Sequence, residues 1–436
     1  MTSSPADPSH AINENNRSVS TQAILLLGFM WFAYFLNYCD RQAVFAMFPS
    51  LKTDLGMTDQ QLGLTGACFL WVYALGCPVA GIVGDRFSKR ILVVMSLVIW
   101  SLVTVATGLS RSGGELLWLR AAMGISESLF MPTAIALTAS AFAPALRSTT
   151  IAILTSAQIA GTVAGSWFGG WMADMGAWRT AFYALGGVGL IYAIPYFAFL
   201  RTFKSEQPKT QLDSTYSDPS NSAVGISNSL GSLLTTLTFL VLCIVFPVFV
   251  FGLWLLYGWL PTFLGGKFQL DQADAAFNAT VYLQGSTLIG LLCGGWLADL
   301  MLRWTRASRY YLMLASLLLC APCLHAIGNC DTLWQLRMAA SAFGLFSGLL
   351  MGNIFPSAFE VVSTQSRATA VGILNLCGGL VSGFATLFGG MWKETLGIDR
   401  LLTLTGAAYF AAGLLLLCCI LTLFPRDLEK QSATAC

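Results

Sequence analysis

The sequence predicts an all-α membrane protein with twelve transmembrane helices in two pseudo-symmetric six-helix bundles. Three observations carry that expectation. The chain is 56% hydrophobic and only 10% charged, whereas a soluble domain is about 45–50% apolar and about 25% charged. Twelve stretches are each long enough to cross a bilayer, which takes about 20 mostly apolar residues. The second half of the chain also repeats marks of the first at a fixed offset.

The composition excludes several classes. A soluble enzyme surface needs charge that this chain lacks. A net charge of +2 leaves no polybasic footprint, so nucleic acid is not an expected partner. The 42 glycines are concentrated in apolar stretches, where small residues let membrane helices approach closely.

The expected spans are 22–49, 61–83, 90–109, 114–140, 147–173 and 178–200, then 233–264, 274–300, 310–328, 333–361, 367–391 and 401–424. They form an N-terminal bundle (22–200) and a C-terminal bundle (233–424). A polar linker (201–232) reads as flexible. Residues 1–21 and 425–436 read as tails, and 1–21 has no apolar core of a signal peptide. An even number of spans puts both tails on one side. The Arg86–Arg90, Arg201–Lys209 and Arg303–Arg309 loops share that side and hold much of the positive charge. The other side holds Lys52, Arg111, Arg179, Lys267, Lys393 and Arg400. The positive-inside rule then makes both termini cytoplasmic.

The fifth and eleventh spans match at an offset of 220. Arg147, Thr149, Ile153, Leu154, Phe168, Gly169 and Gly170 correspond to Arg367, Thr369, Ile373, Leu374, Phe388, Gly389 and Gly390. The second and eighth spans both end in G-x-x-x-D, at Gly81/Asp85 and Gly295/Asp299. The first of these extends to G-x-x-x-D-R-x-x-x-R through Arg86 and Arg90. On these residues the chain resembles the major facilitator superfamily over essentially its whole length. The resemblance implies the major facilitator fold, with related halves around a midplane site and a secondary carrier's alternating access. It makes Gly81, Asp85, Arg86 and Arg90 a gating loop, in which Asp85 caps a helix and pairs with basic groups across the seam. The family's antiporter pattern on the fifth helix is nearly complete at Gly161, Gly165, Gly169 and Gly170. Ser166 replaces its Pro, which leans away from drug efflux.

Charges inside spans are the strongest functional signal. One at the bilayer centre costs about 2.5–3.5 kcal/mol on insertion scales. Asp40 and Arg41 lie on the first span, and Arg120 and Glu127 on the fourth. Their signs cancel, so they are expected to face inward and pair. Arg120 and Glu127 are seven residues apart, on nearly one helix face but about 10 Å apart along the axis. Each is therefore expected to find its partner on the first span. Asp40 and Arg41 point about 100° apart, so one can face the fourth span and the other a central cavity. Two structural salt bridges would also account for these residues. Intramembrane ionisable groups are functional by default, which favours a proton relay with an anion anchor. A carboxyl group held from water can carry a proton at neutral pH, which suits Asp40 and Glu127. An arginine keeps its proton and grips a carboxylate with a two-pronged fork, which suits Arg41. Arg120 is expected to hold a carboxylate ionised until substrate or proton arrives.

The run Asn37-Tyr38-x-Asp40-Arg41, with Arg120 and Glu127, resembles the anion:cation symporter family within the major facilitators. Its sugar-acid members carry a Tyr on the second span, a Gln on the fifth and an Asn on the eleventh. Tyr73, Gln158 and Asn375 stand at those places here. The resemblance implies that they and Tyr38 line the substrate site beside Arg41. Ser126 and Ser128 flank Glu127 where the family has other residues. The tenth-span site residues have no fixed counterpart, with Ser347 and Asn353 as candidates.

Weaker features point elsewhere. Cys320-Ala-Pro-Cys323 has redox spacing but lies within an apolar span, so buried structural cysteines are expected. Two histidines, His10 and His325, make a metal site unexpected. No phosphate-binding G-x-x-x-x-G-K-[ST] or hydrolase motif is present. Arg337 and Glu360, near the ends of the tenth span, can snorkel and are expected to be solvated. Trp254, Tyr257 and Trp259 could stack on a sugar ring or form an interfacial belt.

The expectation is a monomeric carrier, not an enzyme, in a bacterial inner membrane. It imports a small organic anion, such as a sugar acid, with protons. No cofactor is expected; the proton gradient is the energy source. The nearest alternative is a spinster-type lipid or lysolipid carrier, and a proton-coupled drug exporter stands third. A membrane-embedded enzyme would need a nucleophile–base or metal constellation, and a sensor a long signalling tail.

Overall fold

The computed structural model describes residues 20–142, 146–203, 231–363 and 366–435. Among the described residues twelve helices are long and apolar enough to cross a membrane, and none is in a strand. The first six are Thr21–Ala46, Asp59–Arg86, Lys89–Leu109, Gly113–Ala141, Arg147–Asp174 and Trp178–Thr202. The second six are Leu237–Phe268, Gln272–Met301, Ser308–Asn329, Leu333–Val361, Arg367–Trp392 and Ile398–Thr422. Nearly all of the 1–21 tail and most of the 201–232 linker lie outside the described residues.

Two boundaries differ from the sequence reading. The first span stops at Met47, and a short helix, Phe48–Asp54, follows. Pro49 lies in the first turn of that helix, where its missing N–H costs nothing. Inside a continuous helix it would break the hydrogen-bond ladder and clash with the preceding turn. The chain after the twelfth span is also not a bare tail but a helix, Phe424–Ala435. Phe424 packs on Tyr310 with ring centroids 4.6 Å apart. The buried Asp427 accepts the backbone N–H of Thr238 at 2.9 Å and so caps the start of the seventh span.

The internal repeat extends to the fourth and tenth spans. The Ser112 side chain accepts from the Glu115 N–H, and the Thr332 side chain from the Gln335 N–H. Glu115 and Gln335 reach back to the N–H groups of Arg111 and Asp331. The two N-termini thus match at the same offset of 220, and each satisfies helix donors that would otherwise be orphaned.

Close packing follows the glycines. Gly161, Gly165 and Gly169 recur every four residues and lay the fifth span against the first. A Cβ at these positions would meet the backbone of Phe35, Cys39 and Ala43. The fifth span therefore fixes the position of the turn that carries Asp40 and Arg41.

The two halves meet along the second and eleventh spans and along the fifth and eighth. At the end away from the termini both seams are tight. Gly390 lies on the backbone of Asp59, and Gly170 on that of Gln272. Asp59 is buried and receives Lys393 at 3.2 Å from the second half and Lys52 at 3.0 Å from its own. In the other seam the Asp174 carboxylate accepts the N–H groups of Gln272 and Ala273, both at 2.8 Å. A carboxylate there satisfies orphan donors and complements the helix dipole. These seams close the end away from the termini.

Gly165→Leu forces the fifth span off the first and is expected to cost at least about 1–3 kcal/mol, as overpacking does. Gly187→Ala, with open space around it, leaves stability nearly unchanged. Thermal unfolding in detergent compares the two. Asp174→Ala uncaps the eighth span, at about 0.5–2 kcal/mol for a lost cap. Spin labels on the outer ends of the fifth and eighth spans then show a longer, broader distance distribution.

Candidate functional site

Four buried ionisable side chains meet where the first and fourth spans cross. Arg41 and Glu127 form an ion pair, Nη2 to Oε2 at 2.7 Å, with side chains 4% and 0% exposed. The first span reaches the fourth through the turn that the fifth span's glycines hold in place. Three rings surround the guanidinium of Arg41: Tyr38 and Phe69 at 4.7 Å and Tyr73 at 4.9 Å from their centroids. Rings so placed attract the cation through their negative faces. They also keep water from it and strengthen its pairing with Glu127.

The sequence reading expected Arg120 to hold a carboxylate. The structure puts Arg41 in that role. Arg120 is fully buried, yet among the described residues it has no carboxylate within 4 Å. It donates to the Met123 sulfur at 3.1 Å and to the Arg41 carbonyl at 3.4 Å, and its guanidinium lies 5.0 Å from the Phe69 ring. The charges of Glu127, Arg41 and Asp40 are all within its electrostatic reach. The physical reason is geometric. Seven residues of rise separate Arg120 from Glu127, and Arg41 projects toward the Glu127 level.

Asp40, next along the first span, is buried toward the third span. Its Oδ2 accepts the Thr104 hydroxyl from the third span at 3.2 Å, and its Oδ1 has no hydrogen-bond partner among the described residues. Arg41 Nε and Arg120 Nε are likewise buried without partners among the described residues, while the Asn37 amide stands beside the Glu127 carboxylate. Native interiors rarely tolerate such orphans without a functional reason. The cluster is neutral in sum but under-satisfied atom by atom.

The remaining expected site residues divide. Tyr38 and Tyr73 are in the box around Arg41. Gln158 joins indirectly, because its Oε1 accepts from Tyr34 at 3.4 Å and Tyr34 meets Tyr38 edge to face at 5.2 Å. Asn375 is exposed and makes no hydrogen bond to a described residue. It lies on the face of the eleventh span that carries Gly379 and Gly383, which contact Ala74 and Trp71 of the second. Asn375 is one turn further toward the termini on that face.

In the gating loop, Arg86 is exposed and Arg90 lies over the Phe203 ring at 5.5 Å. Gly81 and the Asp85 side chain lie outside what the structure describes. In the second half, Asp299 pairs with Arg309 at 3.3 Å, and Arg309 with Glu360 at 2.6 Å. Glu360 is thus half-buried in a pair rather than solvated. Arg337 is not free either: its Nε donates to Asn278 at 3.0 Å. Trp259 is neither belt nor site, being fully buried and donating to the Thr386 carbonyl at 2.8 Å. Trp254 and Tyr257 are half-buried near the first half. Cys320 and Cys323 are free thiols. Among the described residues no group of His, Cys, Asp and Glu could hold a metal.

Sequence reasoning missed Phe69, Thr104 and Tyr34. Phe69 stands four residues before Tyr73, on the same helix face, and that spacing was a usable signal. Thr104 has no such mark, since it is one hydroxyl among many on an apolar span.

Residues 30–386 match the model of the Major Facilitator Superfamily. The chain is 24% identical over 395 residues to a hexuronate transporter of Bacillus subtilis, covering 88% of this chain and 90% of that one. It is 24% identical over 376 residues to a D-galactonate transporter of Escherichia coli, covering 82% and 86%. It is 29% identical over 317 residues to a protein named "Probable sulfoacetate transporter" from Cupriavidus necator, covering 68% and 71%. Among solved structures, a bacterial homologue of the human lysosomal transporter Spinster, inward-facing and unoccupied, superposes with a TM-score of 0.76. That match covers 95% of this chain and 99% of the other at 20% identity, and it shows the fold alone.

Removing one partner of the buried ion pair is expected to cost about 3–5 kcal/mol, because it leaves an uncompensated charge. Arg41→Met therefore lowers the melting temperature sharply. The double variant Arg41→Met/Glu127→Leu recovers most of the loss. Unfolding of the two in the same detergent checks this.

Proposed function

The chain belongs to the Major Facilitator Superfamily, a family of transporters rather than enzymes, and from that premise we propose that it imports a small organic anion, such as a sugar acid, together with protons. The observation that carries this reading is the Arg41–Glu127 pair, 2.7 Å long and sealed in an aromatic box within the membrane. A guanidinium that already holds a carboxylate has the geometry to hold another. Hexuronate, galactonate and sulfoacetate, for which these relatives are named, are all anions, which supports the same class.

The mechanism follows from competition for Arg41. While Glu127 is ionised, it occupies the guanidinium. A proton on Glu127 removes the charge that holds the pair, and the substrate carboxylate takes its place. Asp40, whose Oδ2 accepts the Thr104 hydroxyl, takes a second proton. In this reading Tyr38, Tyr73, Gln158 and Asn375 meet the substrate hydroxyls. With the termini cytoplasmic, the seams at Asp59–Lys393 and Asp174–Gln272 close the outer face, and substrate and protons leave toward the side of the termini. Loss of the protons lets Glu127 retake Arg41. Each net charge carried inward gains about 2.3 kcal/mol per 100 mV of membrane potential. We place the carrier in a bacterial inner membrane as a monomer.

Purified protein is expected to melt at higher temperature with D-glucuronate or D-galactonate, and Arg41→Ala to lose that response. At a ligand concentration 100-fold over Kd the stabilisation is about 2.7 kcal/mol. Stabilisation by lysolipids alone would replace this reading with a lipid carrier. In proteoliposomes, Asp40→Asn and Glu127→Gln are each expected to keep substrate exchange while losing accumulation driven by a pH gradient. Normal accumulation by either would remove that residue from the proton path.

A further inference from the structure

The ionisable residues that define the site all come from the first half. At the offset of 220, Arg120 corresponds to Ala340 and Glu127 to Ser347, so the second half has no charge to match. A carrier whose halves rock about a substrate needs contacts from both. The second half brings a different chemistry to the same depth. Gln284 of the eighth span, 3% exposed, donates its amide N–H to the Tyr257 hydroxyl of the seventh at 3.0 Å. That bond uses an acceptor position on the phenol oxygen. The Tyr257 O–H itself has no hydrogen-bond acceptor among the described residues.

Tyr257 faces the first half. It lies within electrostatic reach of Tyr38, one wall of the Arg41 box. Trp254, one turn earlier, meets Tyr257 at near-right angles, with centroids 5.7 Å apart. Trp254 packs against the cluster of Phe69, Leu70 and Met123, and Phe69 is another wall of the box. A continuous row of side chains therefore runs from Arg41 through Phe69 and Trp254 to Tyr257 and Gln284.

We propose that Tyr257 is a substrate-contacting residue that recognises a hydroxyl group, and that Gln284 is the positioning residue that turns its O–H toward the substrate. This rests on the organic-anion reading and deepens it. Arg41 binds the carboxylate, and Tyr257 donates a hydrogen bond to a hydroxyl oxygen further along the same molecule. Tyr257 thereby favours polyhydroxylated acids over hydroxyl-free anions. A substrate held at both ends also ties the two halves together.

The test compares D-galactonate with two hydroxyl-free anions, sulfoacetate and succinate, by uptake kinetics and thermal-shift titration. Tyr257→Phe removes one oxygen and preserves the ring packing. It is expected to raise KM for D-galactonate about tenfold, in line with one lost hydrogen bond, with little change in kcat. Its response to the hydroxyl-free anions is expected to match the wild type. Gln284→Leu is expected to produce the same KM shift, and the double variant no more than either alone, because the two act as one unit. An unchanged KM for D-galactonate in Tyr257→Phe overturns the inference, as does an equal loss for all three anions. If no organic anion stabilises the wild type, the organic-anion reading itself falls, and this inference with it.

Discussion

The structure depends on one electrostatic constraint: four ionisable groups must be kept inside a bilayer. Arg41, Glu127, Arg120 and Asp40 can be tolerated only if they see one another and not lipid. That requirement brings the first and fourth spans together at a fixed height, with the Arg41–Glu127 ion pair as the closest contact. The glycine face of the fifth span holds the first span from behind. Thr104 of the third span meets Asp40 from the side. Spans one, three, four and five are thus positioned, directly or at one remove, by the need to neutralise charge in a low dielectric.

Neutrality of the cluster does not mean satisfaction. Opposite signs offset part of the desolvation cost, but individual nitrogens and oxygens are left without hydrogen bonds among the described residues. A structural ion pair optimised for stability would close those valences. A cluster that exchanges partners during a cycle has to leave them open in some states. The aromatic box stabilises the Arg41 charge while offering no competing carboxylate.

The two halves share a scaffold but divide the chemistry. The N-caps of the fourth and tenth spans are built alike, with Ser112/Glu115 matched by Thr332/Gln335. The glycines that close the far-end seams also correspond, Gly170 with Gly390. At those seams the polar contacts then differ: a carboxylate on helix amides at Asp174, and lysines on a carboxylate at Asp59. Within the membrane the first half holds the charges, and the second presents aromatic and amide groups. The repeat preserves what helix packing requires and leaves free what function requires.

The twelve spans were legible in the sequence because an apolar run of sufficient length has no other stable home. The fold class followed from the repeat and the loop signature. The importance of Asp40, Arg41, Arg120 and Glu127 was legible for an equally local reason, since a charge in a span is costly wherever it points. The break at Pro49 had a local cause, the missing donor of proline, yet the apolar run hid it. Partner choice was not local. Which arginine meets Glu127 depends on how far the first span is advanced along the fourth, and backbone contacts at Gly161, Gly165 and Gly169 set that distance. The roles of Phe69, Thr104, Tyr257 and Gln284 rest on which faces of five helices turn toward one another. By itself the sequence determined the membrane architecture and the identity of the costly charges. Only the tertiary structure decided how those charges pair and which neutral groups face them, because helix rotation and register are set by packing across the bundle.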